Sequence, residues 1–173
     1  VYNLLDMEPG KSIAVFGVGG VGSCSVLAAS SKLYNPIIAV DIFDNKLDHA
    51  REMGATHTIN ARKINPIEGI KSITGNGVDY AIESSGQPRV MEMAFNSLNP
   101  RGKVVIAGNA KIGETITIDP HELNKGKKIL GTWGGETQPD RDIPEYERLY
   151  HEGKFPIGKL LSRAYSLDQV NDA

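Results

Sequence analysis

The sequence predicts an α/β fold, a doubly wound and mostly parallel sheet, from three observations. Short apolar runs rich in β-branched residues alternate with helical patterns along the whole chain, with no repeats or low-complexity tracts. The first run, residues 12–16, passes through Gly17-Val18-Gly19-Gly20-Val21-Gly22 into a helical stretch carrying Val26, Leu27 and Ala29. The second run, Pro36-Ile37-Ile38-Ala39-Val40, ends on Asp41.

Taken in order, Val1, Leu4 and Leu5 resemble the last turns of a helix, followed by a turn at Pro9-Gly10. After the first two strands a helix is expected, with Asp44 as its cap. Leu47, Ala50 and Met53 form its apolar stripe and Gly54 takes its C′ position. Residues 56–59 read as a third strand. A weaker helix covers 67–74 and stops at Gly75-Asn76-Gly77. Residues 78–83 form a fourth strand and 84–86 a loop; the next helix runs from Pro88 to Leu98, with Val90, Met93, Ala94 and Leu98 on its buried face. Gly102 opens a fifth strand, 103–107, ending at Gly108-Asn109. Residues 115–118 alternate polar with apolar, as a half-exposed strand does, and 129–133 form a final strand. A helix then follows Pro144, a residue suited to the first helical position, and ends near Gly153. Ser166 and Gln169 have capping-box spacing, yet too few residues follow to sustain a helix. Both ends therefore read as cut from a longer chain.

Composition narrows the function classes. The chain's 173 residues are 40% hydrophobic and 23% charged, values of a soluble globular domain able to bury a core. A net charge of −2 gives no electrostatic reason to expect nucleic acid or an anionic membrane as partner. No apolar run is long enough to span a bilayer, and the opening residues lack a signal-peptide pattern. With Cys24 as the sole cysteine no internal disulfide is possible, which suits the cytoplasm. Cys24 reads as a buried packing thiol. His49, His57, His121 and His151 are scattered, so nothing in the sequence gathers a metal site.

The glycine turn carries the chemistry. Gly17 permits the sharp bend, Gly19 lets a pyrophosphate approach the backbone, and Gly22 lets helix and strand pack closely; Gly20 and Val21 complete the turn. The helix start offers free N–H groups and about half a positive charge to an anion. Asp41, at a strand end about 20 residues beyond the fingerprint, can accept both hydroxyls of an adenosine ribose. It would repel a 2′-phosphate, and no arginine directly follows it, so NAD is expected rather than NADP. In such sheets ligands lie beyond the carboxyl ends of the strands. Residues 17–22, Asp41-Ile42, 83–86 and 107–109 should therefore meet. The last two segments, with Ser84, Ser85, Ala107, Gly108 and Asn109, fall where the nicotinamide half should lie.

In this order the motifs resemble the cofactor-binding domain of the zinc-containing, medium-chain alcohol dehydrogenase family. The matching residues run from Ile13 through Gly22, Val40-Asp41, Lys46-Leu47, Gly54-Ala55-Thr56, Val78-Asp79-Tyr80 and Glu83 to Gly86. They continue through Gly102-Lys103-Val104-Val105 and Gly108 to Ser166-Leu167-Asp168. The resemblance implies a Rossmann-type NAD-binding domain over residues 1–136. It makes 137–173 a segment returning to a catalytic domain that lies elsewhere and supplies the zinc ligands. It implies that Lys46 approaches the adenine ribose, Ile42 packs on adenine and Val21 lies behind the nicotinamide. It also makes 115–118, around Ile116, the edge strand through which homo-dimers extend their sheets. The implied reaction is hydride transfer between an alcohol and NAD, giving an aldehyde or ketone, with zinc as Lewis acid outside this chain; these residues alone are expected to bind NAD without turnover.

Three rivals remain open. They are a zinc-free quinone or enoyl reductase, an NAD-sensing regulatory module, and, more weakly, a methyltransferase, whose cofactor has no pyrophosphate. Trp133 is expected where the last strand meets the catalytic domain, and residues 125–128 (Lys-Gly-Lys-Lys) as a solvated basic turn.

Overall fold

Strands whose side chains are buried on both faces need helices on both sides, and the chain supplies them. The computed structural model describes residues 1–5, 8–161 and 164–172. Six strands form one parallel sheet: β1 (Ile13–Phe16), β2 (Ile37–Asp41), β3 (His57–Asn60), β4 (Val78–Glu83), β5 (Leu98–Ile106) and β6 (Lys128–Gly131). Their order is β3-β2-β1-β4-β5-β6, so the strand sequence reverses direction between β1 and β4. Between them lie α1 (Gly20–Ser31), α2 (Asp44–Glu52), α3 (Pro66–Thr74), α4 (Pro88–Asn96) and α5 (Pro120–Asn124). Beyond β6 come α6 (Pro139–His151) and 3-10 turns at Ile157–Leu160 and Leu167–Asp172.

The period of two in each strand divides the core. Ile13, Val15, Ile37, Ala39 and Ile82 point to one face, where Val26 and Ala29 of α1 and Leu47 and Ala50 of α2 cover them. Ala14, Phe16, Ile38, Val40, Ala81 and Val104 point to the other, under Ile70 of α3 and Ala94 and Phe95 of α4. The doubly wound α/β fold is as the sequence predicts.

Several local expectations are corrected. Asp44 does not cap α2 but is its first residue; its carboxylate instead accepts from Asn60 Nδ2 at 2.7 Å and pairs with Lys63 at 2.9 Å. Helix α4 stops at Asn96, and Leu98 opens β5. The pairing of β4 with β5 slips between Val78 and Tyr80, which accommodates residues 99–102. Residues 115–118 join no ladder. Their alternation is real, with Ile116 and Ile118 partly buried and both threonines exposed. Ile118 packs against the core near α4, and the Thr117 N–H donates to Glu92 Oε1 at 2.8 Å. The edge strands of the sheet are β3 and β6. Cys24 is exposed rather than buried, because α1 turns Gly22, Ser23, Val26 and Leu27 inward. The basic turn is not wholly solvated: Lys127 is buried, with Nζ 2.9 Å from Glu122 and 5.3 Å from the Phe95 ring centroid. Helix α6 begins at Pro139, with Pro144 inside it; the earlier proline is the one at the helix start.

The first residues of the chain, the end of α6 and the turn after it pack on the outer side of α1. Leu27 and Ala28 meet Leu149 and Phe155, with Val1, Tyr2 and Leu160 against them. Asp142 joins the first residues to α6: its carboxylate accepts from Arg141 Nε at 2.7 Å, the Gln138 N–H at 3.0 Å and Asn3 Nδ2 at 2.9 Å. Arg141 chiefly, then these N–H donors, hold the Asp142 carboxyl at about 2. A depressed carboxyl stabilises the fold above its ordinary value of 3.8, and that contribution disappears as pH falls toward 2. Asp142→Asn should therefore unfold at a lower temperature than the parent at pH 5, with the gap closing by pH 2. A gap constant across that range would show that the charge does not tie the first residues to α6.

Candidate dinucleotide site

Register brings the ends of four strands level. Phe16 of β1 stands beside Val40 of β2 on one side and Glu83 of β4 on the other, and Glu83 stands beside Ile106 of β5. The loops that follow, predicted to meet, therefore leave the sheet side by side, across the point where strand order reverses.

Gly17 turns with φ +80°, a conformation that side chains rarely adopt. A Cβ on Gly22 would lie 1.9 Å from the Gly17 carbonyl oxygen, so α1 approaches the turn as closely as only glycine allows. Cβ atoms on Gly19 and Gly20 would meet nothing within 4 Å; there the backbone borders open space. No side chain caps α1, and its first turn contains no acid. The helix start thus combines unengaged N–H groups, room beside them and no competing carboxylate, the requirements of a phosphate cradle. Val21 is exposed at this rim.

Asp41 sits at the end of β2, only 9% exposed. Its Oδ2 accepts the Val18 N–H at 2.9 Å, and Oδ1 accepts the N–H groups of Ile42 at 2.7 Å and Phe43 at 3.1 Å. The carboxylate is fixed against the glycine turn and keeps one acceptor position on Oδ2 beyond these bonds. Ile42 and Phe43 beside it are exposed. Lys46 Nζ lies 5.3 Å and the Arg62 guanidinium 5.0 Å from the centre of the Phe43 ring. No arginine directly follows Asp41, but Arg62, just past β3, comes to the Phe43 ring beside it through tertiary structure. Local spacing around Asp41 does not reveal it.

Ser84 and Ser85 lie on the β4 loop, with their hydroxyls directed into the protein. Ser84 Oγ donates to the Gly17 carbonyl at 2.6 Å, and Ser85 Oγ donates to Glu83 Oε1. Beyond β5, Ala107, Gly108 and Asn109 line a cleft of about 640 Å³ shared with Thr132 and the 93% exposed Trp133. Glu83 opens the 83–86 segment expected to meet the others, but the sequence reading gives its side chain no part; a carboxylate closing the apolar run of β4 is the signal that marks it. Among the described residues no three His, Cys, Asp or Glu side chains group to hold a metal ion, and no helix is long and apolar enough to cross a membrane. Zinc does not fit the residues described here.

This sheet order, with its glycine turn at the switch point and acid on the neighbouring strand, defines a dinucleotide-binding α/β domain. The family of zinc-binding dehydrogenases matches over residues 20–152, and the chain belongs to that family. It is 33% identical to an S-(hydroxymethyl)glutathione dehydrogenase of Synechocystis, over 100% of this chain and 48% of that protein. Among solved structures, benzyl alcohol dehydrogenase from Acinetobacter calcoaceticus superposes with a TM-score of 0.95 at 38% identity, covering 99% of this chain and 47% of its own. A protein of Sinorhizobium meliloti 1021 bound to NADP superposes at 0.88 with 27% identity, covering 99% of this chain and 50% of its own. The chain spans about half the length of these relatives.

Proposed function

We propose that this chain is the NAD(H)-binding half of an oxidoreductase that interconverts an alcohol with its aldehyde or ketone. The observation that carries the reading is the Asp41 carboxylate held against the Val18 N–H beside an uncapped α1 start. It supports the reading because a carboxylate able to accept ribose hydroxyls stands next to N–H groups able to donate to a pyrophosphate. Gly17, Gly19, Gly20 and Gly22 form the cradle; Ile42, Phe43 and Lys46 border the adenosine end; Ala107, Gly108 and Asn109 border the nicotinamide end. When bound, the nicotinamide supplies the hydride acceptor. The chain's own part is to hold the ring at a fixed distance and face. Residues 1–136 constitute this domain and 137–173 lead toward the part that binds substrate. Any zinc ligands lie outside these residues, and a cytoplasmic location fits the single cysteine.

Calorimetry of the purified chain with NAD, NADP and S-adenosylmethionine tests the reading. Binding of NAD in preference to NADP, without alcohol-dependent NADH production, is expected. Preference for NADP would favour the reductase alternative, for which Arg62 and Lys46 provide the cations. No binding of either dinucleotide would remove the proposal. The homo-dimer expected through Ile116 belongs to the same reading; residues 115–118 join no ladder within the chain, and the two edges of the sheet are β3 and β6.

A further inference from the structure

Glu83 is 0% exposed at the end of β4, and its two oxygens have unequal surroundings. Oε1 accepts the Ser85 N–H at 2.7 Å, the Ser85 hydroxyl and the Gly86 N–H at 3.1 Å. Oε2 is buried without a partner. The backbone of the same residue ties down the neighbouring loop, its carbonyl accepting the N–H groups of Ala107 at 2.8 Å and Gly108 at 2.9 Å. Gly108 closes over the carboxyl so tightly that a Cβ there would lie 2.6 Å from Oε2 and 2.2 Å from the Gly86 nitrogen.

The loop that Glu83 holds is the one on which the glycine turn rests. A Cβ on Gly17 would stand 3.1 Å from both the nitrogen and the Cβ of Ser85, and the Gly17 carbonyl takes the Ser84 hydroxyl. Gly22 comes against the same serine, since its Cβ would lie 3.0 Å from Ser84 Oγ. A group that makes no contact with the open crevice thus fixes, through Ser85, the backbone that borders it.

We infer that Glu83 is a positioning residue for the dinucleotide: its buried carboxyl sets the β4 loop that braces the phosphate-cradling turn and joins it to the β5 loop. The inference rests on the dinucleotide reading above. Burial pushes the Glu83 carboxyl up toward its neutral form, against the pull of Ser85 and Gly86. With Oε1 filled by three donors, the proton of that form sits on Oε2. A neutral amide at this position keeps an acceptor for the same donors.

The test is NAD affinity of the 173-residue chain and its variants by calorimetry, well below their unfolding transitions, with circular dichroism to establish that each is folded. Glu83→Ala should weaken NAD at least tenfold and Ser85→Ala about threefold, while Glu83→Gln should stay within about threefold of the parent. If Glu83→Ala does not fold, the other two variants decide. Parent-like affinity in Ser85→Ala together with Glu83→Ala, or failure of Glu83→Gln to restore binding, would overturn the inference. A parent chain that itself binds no NAD would overturn the dinucleotide reading, and this inference with it.

Discussion

Gly22→Ala is expected to destabilise the chain by about 3 kcal/mol, the upper range for overpacking a close contact, and to abolish measurable NAD binding. The added methyl would fall 1.9 Å from the Gly17 carbonyl oxygen and 2.9 Å from its carbon, both backbone atoms of the turn itself. Relief requires α1 to move away from β1, which dismantles the cradle. Gly19→Ala separates folding from binding. Gly19 has φ −75° and nothing within 4 Å of a built Cβ, so stability should stay within about 0.5 kcal/mol of the parent. Its methyl would occupy the open space beside the helix start, and NAD affinity should fall about tenfold, roughly 1.4 kcal/mol. Thermal unfolding and calorimetry on both variants check the pair. A Gly22→Ala chain with parental stability and affinity would contradict the tight-turn account.

Asp41→Ser should lower NAD affinity about 10- to 100-fold, roughly 1.4–2.8 kcal/mol, the range of one charge-assisted hydrogen bond. It should also reduce the bias against NADP, because the carboxylate that repels a 2′-phosphate is gone while Lys46 and Arg62 remain beside Phe43. The carboxylate also accepts the Val18, Ile42 and Phe43 N–H groups, so part of the loss will come from the protein. Asp41→Asn keeps a single amide oxygen, enough for Val18 or for Ile42 and Phe43 but not for both, and turns its NH2 group toward the remaining N–H. It should be less stable than the parent by about 1–3 kcal/mol, bind NAD more weakly and tolerate NADP better. Unchanged affinity for both dinucleotides in both variants would take Asp41 out of the site.

The glycine turn and Asp41 were legible in the sequence because they depend on local properties. A positive φ at Gly17, space for close packing at Gly22 and a strand that ends in an acid are encoded within a few residues. Elements with a clear period were equally legible. The stripe Leu47, Ala50 and Met53 is buried as its spacing requires, and β4 runs from Val78 to Glu83 as read. Residues 115–118 misled because alternation reports one buried side, not a hydrogen-bonded neighbour. The burial came from packing near α4 rather than from a ladder. Pro144 misled because two prolines five residues apart both suit a helix start, and only the turn after β6 selects Pro139.

By itself the sequence determined the alternation of strands and helices through β5, the glycine turn and the acid at the end of β2, since each follows from backbone sterics and side-chain period over short stretches. Only the tertiary structure decided that Arg62 joins Lys46 over Phe43, that the Ser84 and Ser85 hydroxyls serve the turn and Glu83, and that β6 ends the sheet beyond β5. Those contacts join residues far apart in the chain. They exist because parallel pairing sets the ends of β2, β1, β4 and β5 level, and that register is a property of the assembled sheet.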